Sequence, residues 1–313
     1  MTGGAGFIGS HVVERLLETG HRVTIVDDLS TGCRENVPPG AAFYRVSTQH
    51  PRLSAVFDGV ESVVHLAAQT SVAASVADPS GDAHRNIMGT LAAIEAARRA
   101  RVKRFVYISS AAVYGRPQQL PVGEGHRIAP LSPYGFSKFA GEEYLRLRGE
   151  CFQSWSILRL ANVYGPRQSA AGEAGVVARW AAGLTAGRPI ELHSDGDQTR
   201  DFVYAGDVAD AIVRVVERAA ERCAAPGCVL NIGTGRATSV GQLLTTLSRL
   251  AGYKPTVNRR EPRPGDIRDS VLDASAARQV LDWEARTPLA AGLDRTMAWF
   301  RETRPRELSG EGR

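Results

Sequence analysis

Gly3-Gly4-Ala5-Gly6-Phe7-Ile8-Gly9 satisfies both the G-x-G-x-x-G and the G-x-x-G-x-x-G spacing. Missing side chains let a backbone turn tightly and approach a pyrophosphate, which then sits at the positive N-terminal end of the following helix. About 20 residues further on, a β-branched run ends in Asp27 and Asp28. A carboxylate there accepts hydrogen bonds from the hydroxyls of an adenine ribose and repels a 2′-phosphate, so the pattern favours NAD over NADP. A second constellation, Tyr134 and Lys138, is four residues apart and hence on one face of a helix. A free tyrosine titrates near about 10 and is a poor base, but a lysine cation and the positive charge of a nicotinamide favour its phenolate. Ser109 or Ser110, ending a strand pattern, supplies a hydroxyl that shares the proton in transit. Of the 38 basic residues only Lys103, Lys138 and Lys254 are lysine. Lysine at position 138 therefore suggests a task that a guanidinium, with its fixed charge and spread-out donors, would not serve.

The elements that must position these groups follow from periodicity. Ile8, Val12, Val13, Leu16 and Leu17 repeat at helical spacing, and Gly20 supplies the stop. Strand patterns cover 23–26, 62–66, 104–109, 156–160 and 229–232, with helical patterns at 87–99 and 136–147 between them. This alternation predicts an α/β fold with a Rossmann-like, doubly wound parallel sheet. From Gly165 onward the regularity gives way to Gly- and Pro-containing stretches at 165–175 and 261–266, mixed with helices such as 240–250. A smaller, mixed α/β C-terminal lobe is expected there, ending in a polar tail, 303–313, that frays. One element is missing from the pattern. The glycine loop is preceded by Met1 and Thr2 alone, so the sequence lacks the first strand, and the natural chain is expected to start upstream. Without that central strand its two neighbours would lose ladder partners.

Composition narrows the function classes. At 313 residues, 43% hydrophobic and 23% charged, the chain has the makings of one large or two coupled folded domains. No stretch approaches the roughly 20 apolar residues that span a bilayer, and the start shows neither a basic region nor an apolar block. Cys33, Cys151, Cys223 and Cys228 contain no C-x-x-C pair, which fits a reducing cytoplasm and offers no zinc site. The net charge of +5 is spread along the chain, which argues against nucleic acid and leaves acidic small molecules as partners.

With these residues in view, the chain resembles the extended short-chain dehydrogenase/reductase family, and within it the nucleotide-sugar epimerases of the UDP-glucose 4-epimerase type. Seven ordered motifs carry the resemblance: TGGAGFIG at 2–9, HLAA at 65–68, SSAAVYG at 109–115, YGFSK at 134–138, NVYGP at 162–166, RDF at 200–202 and RPGD at 263–266. It implies Ser110, Tyr134 and Lys138 as the catalytic set. It also implies NAD held by Gly3, Gly6, Phe7, Ile8, Gly9, Asp27, Leu66, Ala67, Ala68 and Lys138. Asn162 would contact the substrate's diphosphate region, Arg200 and Arg263 would clamp its two phosphates as bidentate guanidinium groups do, and Asp266 would hold the uridine ribose. The implied division is an NAD-binding domain at 1–165 plus about 202–233, with a nucleotide-sugar lobe at about 166–201 and 234–313. A homodimer built on a helix pair including the Tyr134 helix is implied as well.

The expected activity is NAD-dependent inversion at C4 of a UDP-hexose or UDP-hexuronate through a 4-keto sugar. Relatives that dehydrate or decarboxylate the sugar carry acidic residues between the catalytic hydroxyl and the VYG triplet, where this sequence has Ala111 and Ala112. A regulator that senses NAD on the same fold would tend to lose the tyrosine or the lysine, and both are present. The sequence departs from the family's pattern at Val46-Ser47-Thr48, where related chains often carry an aspartate that contacts adenine. Arg167 and Arg179 lie in a region that could approach the sugar's C6.

Overall fold

The computed structural model describes residues 1–171, 175–222, 227–261 and 267–308. One parallel sheet runs in the order β2 (Ala42–Tyr44), β1 (Thr24–Val26), a two-residue stub, β3 (Ser62–His65), β4 (Arg104–Ser110), β5 (Ser154–Leu160) and β10 (Gly227–Ile232). The interiors of β4 and β5 are almost continuously buried, as in strands covered on both faces. The stub is Met1 and Thr2, with Thr2 bridging Val26 on one side and His65 on the other. Its backbone bonds Val64 and Leu66 of the β3 side and Val26 of β1, so both neighbours keep ladder partners next to the glycine loop. The ammonium of Met1 is buried against the Thr24 carbonyl at 2.6 Å, and that burial lowers its pKa to about 5.

Helices cover both faces. On one, Val12, Val13 and Leu16 of α1 (Phe7–Glu18) share a core with Val208, Ile212 and Val215 of α8 (Ala205–Arg222). On the other, α2 (Leu53–Val56), α5 (Gly89–Arg99) and α6 (Pro133–Arg148) bury Leu53, Ile94, Ala97 and Leu145. Two short helices, α3 (Val72–Ala77) and α4 (Pro79–Ala83), lead through a π-helical turn at His84–Met88 into α5. That turn takes the first two residues of the expected 87–99 helix. The helix expected at 136–147 starts three residues earlier, because Ser132 caps it by accepting from the Gly135 N–H and Pro133 fits the first turn.

The remaining chain forms a second core. Trp180 of α7 (Val176–Thr185), Leu243 and Leu247 of α9 (Val240–Ala251), and Leu293 and Met297 of α11 (Leu289–Leu308) pack together. Beside them β7 (Ile190–His193) pairs in parallel with β12 (Val257–Arg260). The tail expected to fray from 303 is helical as far as Leu308. One stretch of the expected lobe lies elsewhere. Ala277 and Leu281 of α10 (Ser275–Leu281), with Trp283, join the α1–α8 core, because their apolar face meets α8. The two cores meet where β6 (Asn162–Tyr164) pairs with β9 (Phe202–Tyr204), and where β8 (Thr199–Arg200) runs between β11 (Thr238–Ser239) and β13 (Asp269–Ser270). Among the described residues no helix is long and apolar enough to cross a membrane.

Candidate active site

The glycine loop works by absence of side chains. Gly3 takes φ +69°, and a Cβ there would lie 2.7 Å from the Ala67 nitrogen, while one on Gly9 would lie 2.0 Å from the Gly3 oxygen. No side chain caps the N-terminus of α1 and no acid sits in its first turn, so its N–H groups and the positive end of its dipole are left for an anion. Leu66, Ala67 and Ala68 follow β3 directly and stay half-buried against this loop. Phe7 and Ile8 begin α1, and the Ile8 side chain packs on the large core. Asp27 directly follows β1 and is 8% exposed. Its two oxygens accept from the Ala5 and Leu29 N–H groups at 3.0 and 2.9 Å. Burial raises its pKa, and those two bonds oppose the rise. Asp28 is exposed and accepts from the Ser30 N–H. Val46, in the segment that departs from the family pattern, packs on the α5–α6 core.

At the other end of the sheet's C-terminal edge, α6 carries Tyr134 and Lys138. It lies close to β4 because Gly135 and Gly141 have no Cβ, which would otherwise meet the Ala112 carbonyl oxygen and the Tyr107 hydroxyl. The structure separates the two candidate serines. Ser109 donates to Glu142 at 2.6 Å, whereas Ser110 points the opposite way, as successive strand residues do, toward the Tyr134 side. Burial raises the Tyr134 pKa above its ordinary value, the Ser110 hydroxyl lowers it, and the Asp82 charge raises it further. Lys138 is 4% exposed, donates to the Ile108 carbonyl at 2.9 Å and lies 5.2 Å over the Tyr107 ring. Burial lowers its pKa to about 8, with Asp82 and Glu142 pulling upward. Lys138 sits one turn along α6 from Tyr134, with its ammonium on the Ile108 carbonyl.

Four residues outside the expected set complete this end. Glu142 accepts from Arg159 of β5 through both oxygens, at 2.9 and 2.6 Å. Positions 134, 138 and 142 form one stripe at four-residue spacing, a signal already present in the sequence. Asp82 and Asn86 form the third-layer contact: Asp82 Oδ1 accepts from Gln69 and Asn86, and Asn86 also reaches the Ser137 hydroxyl.

The substrate side is partly described. Asn162 is exposed in β6, with its N–H on the Asp201 carbonyl. Arg200 of β8 donates to the Thr199 and Arg268 carbonyls at 2.8 and 3.0 Å. Arg263 and Asp266 lie outside the described residues. Asp201 is buried and accepts from the Thr234 N–H and hydroxyl, the Gly235 N–H and the Leu272 N–H, and so ties these chain segments together next to Arg200. Arg167 bonds Glu14 of α1 through both terminal nitrogens at 2.6 Å, and one also donates to His11. Among the described residues no three His, Cys, Asp or Glu side chains converge to hold a metal ion.

A family model, described as the NAD dependent epimerase/dehydratase family, matches residues 1–233. The chain belongs to this family. A UDP-glucose 4-epimerase of Mycolicibacterium smegmatis is 42% identical over 310 residues, which cover 96% of this chain and 97% of that one. A UDP-glucose 4-epimerase of Thermotoga maritima, solved with UDP-glucose, is 41% identical with a TM-score of 0.91, over 96% of this chain and 98% of that one. A Thermus thermophilus UDP-glucose 4-epimerase, solved with NAD, is 39% identical with a TM-score of 0.88, over 96% and 97%. The residues present fit the cofactor of this epimerase/dehydratase family. A Cβ at Gly3 or Gly9 would fill the cradle, the α1 N-terminus is open to a pyrophosphate, and the Asp27 carboxylate directly follows the adjoining strand.

Proposed function

We propose that this protein is an NAD-dependent 4-epimerase of UDP-sugars, inverting C4 of a UDP-hexose or UDP-hexuronate through a 4-keto sugar. The observation that carries the reading is Tyr134 one helical turn from the Lys138 ammonium on α6, packed beside the Ser110 end of β4, in a chain of this family. The chemistry that NAD supplies when bound is reversible hydride exchange with the sugar's C4. Tyr134 as phenolate takes the proton of the C4 hydroxyl and gives it back, while Ser110 donates a hydrogen bond to the same oxygen. Lys138 keeps a compact cation on that face of α6 at neutral pH, since its pKa is about 8. Gly3, Gly6, Phe7, Ile8, Gly9, Asp27, Leu66, Ala67, Ala68 and Lys138 hold the cofactor. Asn162, Arg200, Arg263 and Asp266 hold the diphosphate and the uridine ribose, and anchoring there leaves the sugar free to turn between its two faces. Alanine at 111 and 112 supplies no further acid or base, which supports redox at C4 over dehydration or decarboxylation.

The cofactor domain is 1–165 with about 202–233, and the lobe at about 166–201 and 234–313 carries the nucleotide end. A homodimer is supported by α6, where Phe136 and Leu147 are 56% and 73% exposed on the face opposite the Tyr134 stripe, near exposed Val76, Met88 and Leu131. Light scattering is expected to return twice the chain mass. The free thiols of Cys33, Cys151 and Cys228 suit a cytoplasmic protein. The deciding experiment incubates the purified holoenzyme with UDP-glucose, UDP-glucuronate and UDP-N-acetylglucosamine without added NADH. At least one C4-inverted product of unchanged mass is expected, and none from all three overturns the reading.

A further inference from the structure

We propose that Asp82 is a positioning residue of this active site, a buried carboxylate fixed behind the Tyr134–Lys138 pair as the counter-charge for Lys138. This rests on the epimerase reading for its kinetic consequence, but its geometry stands independently. Asp82 is 2% exposed, and Oδ1 is held by Gln69 Nε2 at 2.9 Å and Asn86 Nδ2 at 3.0 Å. The same Asn86 amide reaches the Ser137 hydroxyl at 3.1 Å, and Ser137 in turn donates to the Tyr134 carbonyl. Asp82 is therefore tied to the helix that carries the pair.

Its other oxygen, Oδ2, is buried with no hydrogen-bond partner among the described residues. A buried carboxylate oxygen is costly to leave unpaired unless a nearby positive charge offsets it. Asp82 also borders a cavity of about 450 Å³ lined by Pro79, Ile87, Leu131, Pro133 and Phe136 among others, and no lining residue is a cation. The groups facing Lys138 are Asp82 from α4, Tyr134 and Glu142 from α6, Tyr107 from β4 and His65 from β3. Glu142 already has Arg159, bonded through both oxygens. His65 is neutral, its pKa lowered to about 3 by burial and by Lys138, and its ring nitrogens meet the Thr2 and Thr90 hydroxyls. Asp82 is the anion of this group without a cationic bonding partner, and Lys138 is the cation without an anionic one.

Charge at a distance serves the reaction differently from a direct ion pair. The Lys138 ammonium remains on the Ile108 carbonyl with donors still to place, instead of being locked into a carboxylate. The Asp82 charge keeps Lys138 protonated and also raises the Tyr134 phenol, so it moves both members of the pair in one direction.

The test is Asp82→Asn in the NAD-loaded enzyme, since asparagine keeps an oxygen for Gln69 and Asn86 and removes only the charge. Asp82→Ser is the second variant should the first not fold. In the kcat–pH profile the acid limb follows Tyr134 and the alkaline limb follows Lys138. Removing the charge is expected to move both limbs to lower pH, by about one unit. A substrate-free readout separates this from the epimerase reading: phenolate absorbance is titrated in each variant with and without Tyr134→Phe, and the Tyr134 midpoint is expected to fall. A folded variant with unmoved limbs and an unmoved phenolate midpoint overturns the proposal, as do limbs that move in opposite directions.

Discussion

At the cofactor end, Gly3, Gly6 and Gly9 make room because they have no side chain, and the groups offered to a ligand are backbone N–H groups and one carboxylate already held by two of them. At the catalytic end, Lys138, Asp82, Glu142 and Arg159 are ionisable side chains taken out of water beside Tyr134, and Glu142 and Arg159 bond each other through two contacts. Binding a pyrophosphate needs close approach and fixed dipoles, which glycine backbone provides at almost any pH. Moving a proton needs groups whose charge can change, and burial shifts both members of the pair, bringing Lys138 down to about 8 and the Tyr134 phenol up.

If this contrast is right, changes at the two ends fail differently. Tyr134→Phe removes the reacting oxygen and is expected to lower kcat by about 10²–10⁴-fold, while NAD content measured on the purified protein stays normal. Loss of NAD along with activity would break the distinction. Glu142→Ala strands the buried Arg159 guanidinium and the Ser109 hydroxyl, and is expected to cost about 3–5 kcal/mol in thermal or denaturant unfolding. Gly9→Ala drives a Cβ into the Gly3 carbonyl, so the loop must open. We expect the protein to lose bound NAD, with a stability change of about 1–3 kcal/mol, smaller than that of Glu142→Ala. Normal NAD retention in this variant would remove the basis for a cofactor end built by absence.

The smallest expected effect concerns the joint between the ends. His11 of α1 donates from Nε2 to the Pro166 carbonyl and accepts at Nδ1 from Arg167, and burial, then Arg167, lower its pKa from 6.5 to about 4. Between those values the unfolded chain takes a proton that the folded one refuses, so this contribution is present above pH 6.5 and is lost as pH falls toward 4. Melting temperature is expected to drop from about pH 7 to about pH 5, and to drop less in His11→Gln.

What could be read along the chain was what neighbours in sequence fix for each other. The glycine spacing, the Asp27 strand end and the Tyr134–Lys138 face are set by turn and helix geometry within a few residues, and so were the four strands expected at 62–66, 104–109, 156–160 and 229–232, to within two residues at their ends, whereas the short strands between 162 and 204 were not legible. The 134–138–142 stripe was equally local, and adding Glu142 to it required only one more turn of the same count. The choice between Ser109 and Ser110 was not local. Alternation places them on opposite faces, but only the packing of α6 against β4 decides which face meets the phenol. The tie from Asp82 to the pair runs through Asn86, which lies 51 residues from the Ser137 it bonds. Arg167 sits 153 residues from the Glu14 it binds. Met1 and Thr2, too short to read as a strand, take the central place because Val26 and His65 flank it with unpaired backbone. Periodicity records which residues share a face of one element, whereas which faces meet is decided by burying apolar surface across the whole chain, and the charges at this site take their pKa values from that burial.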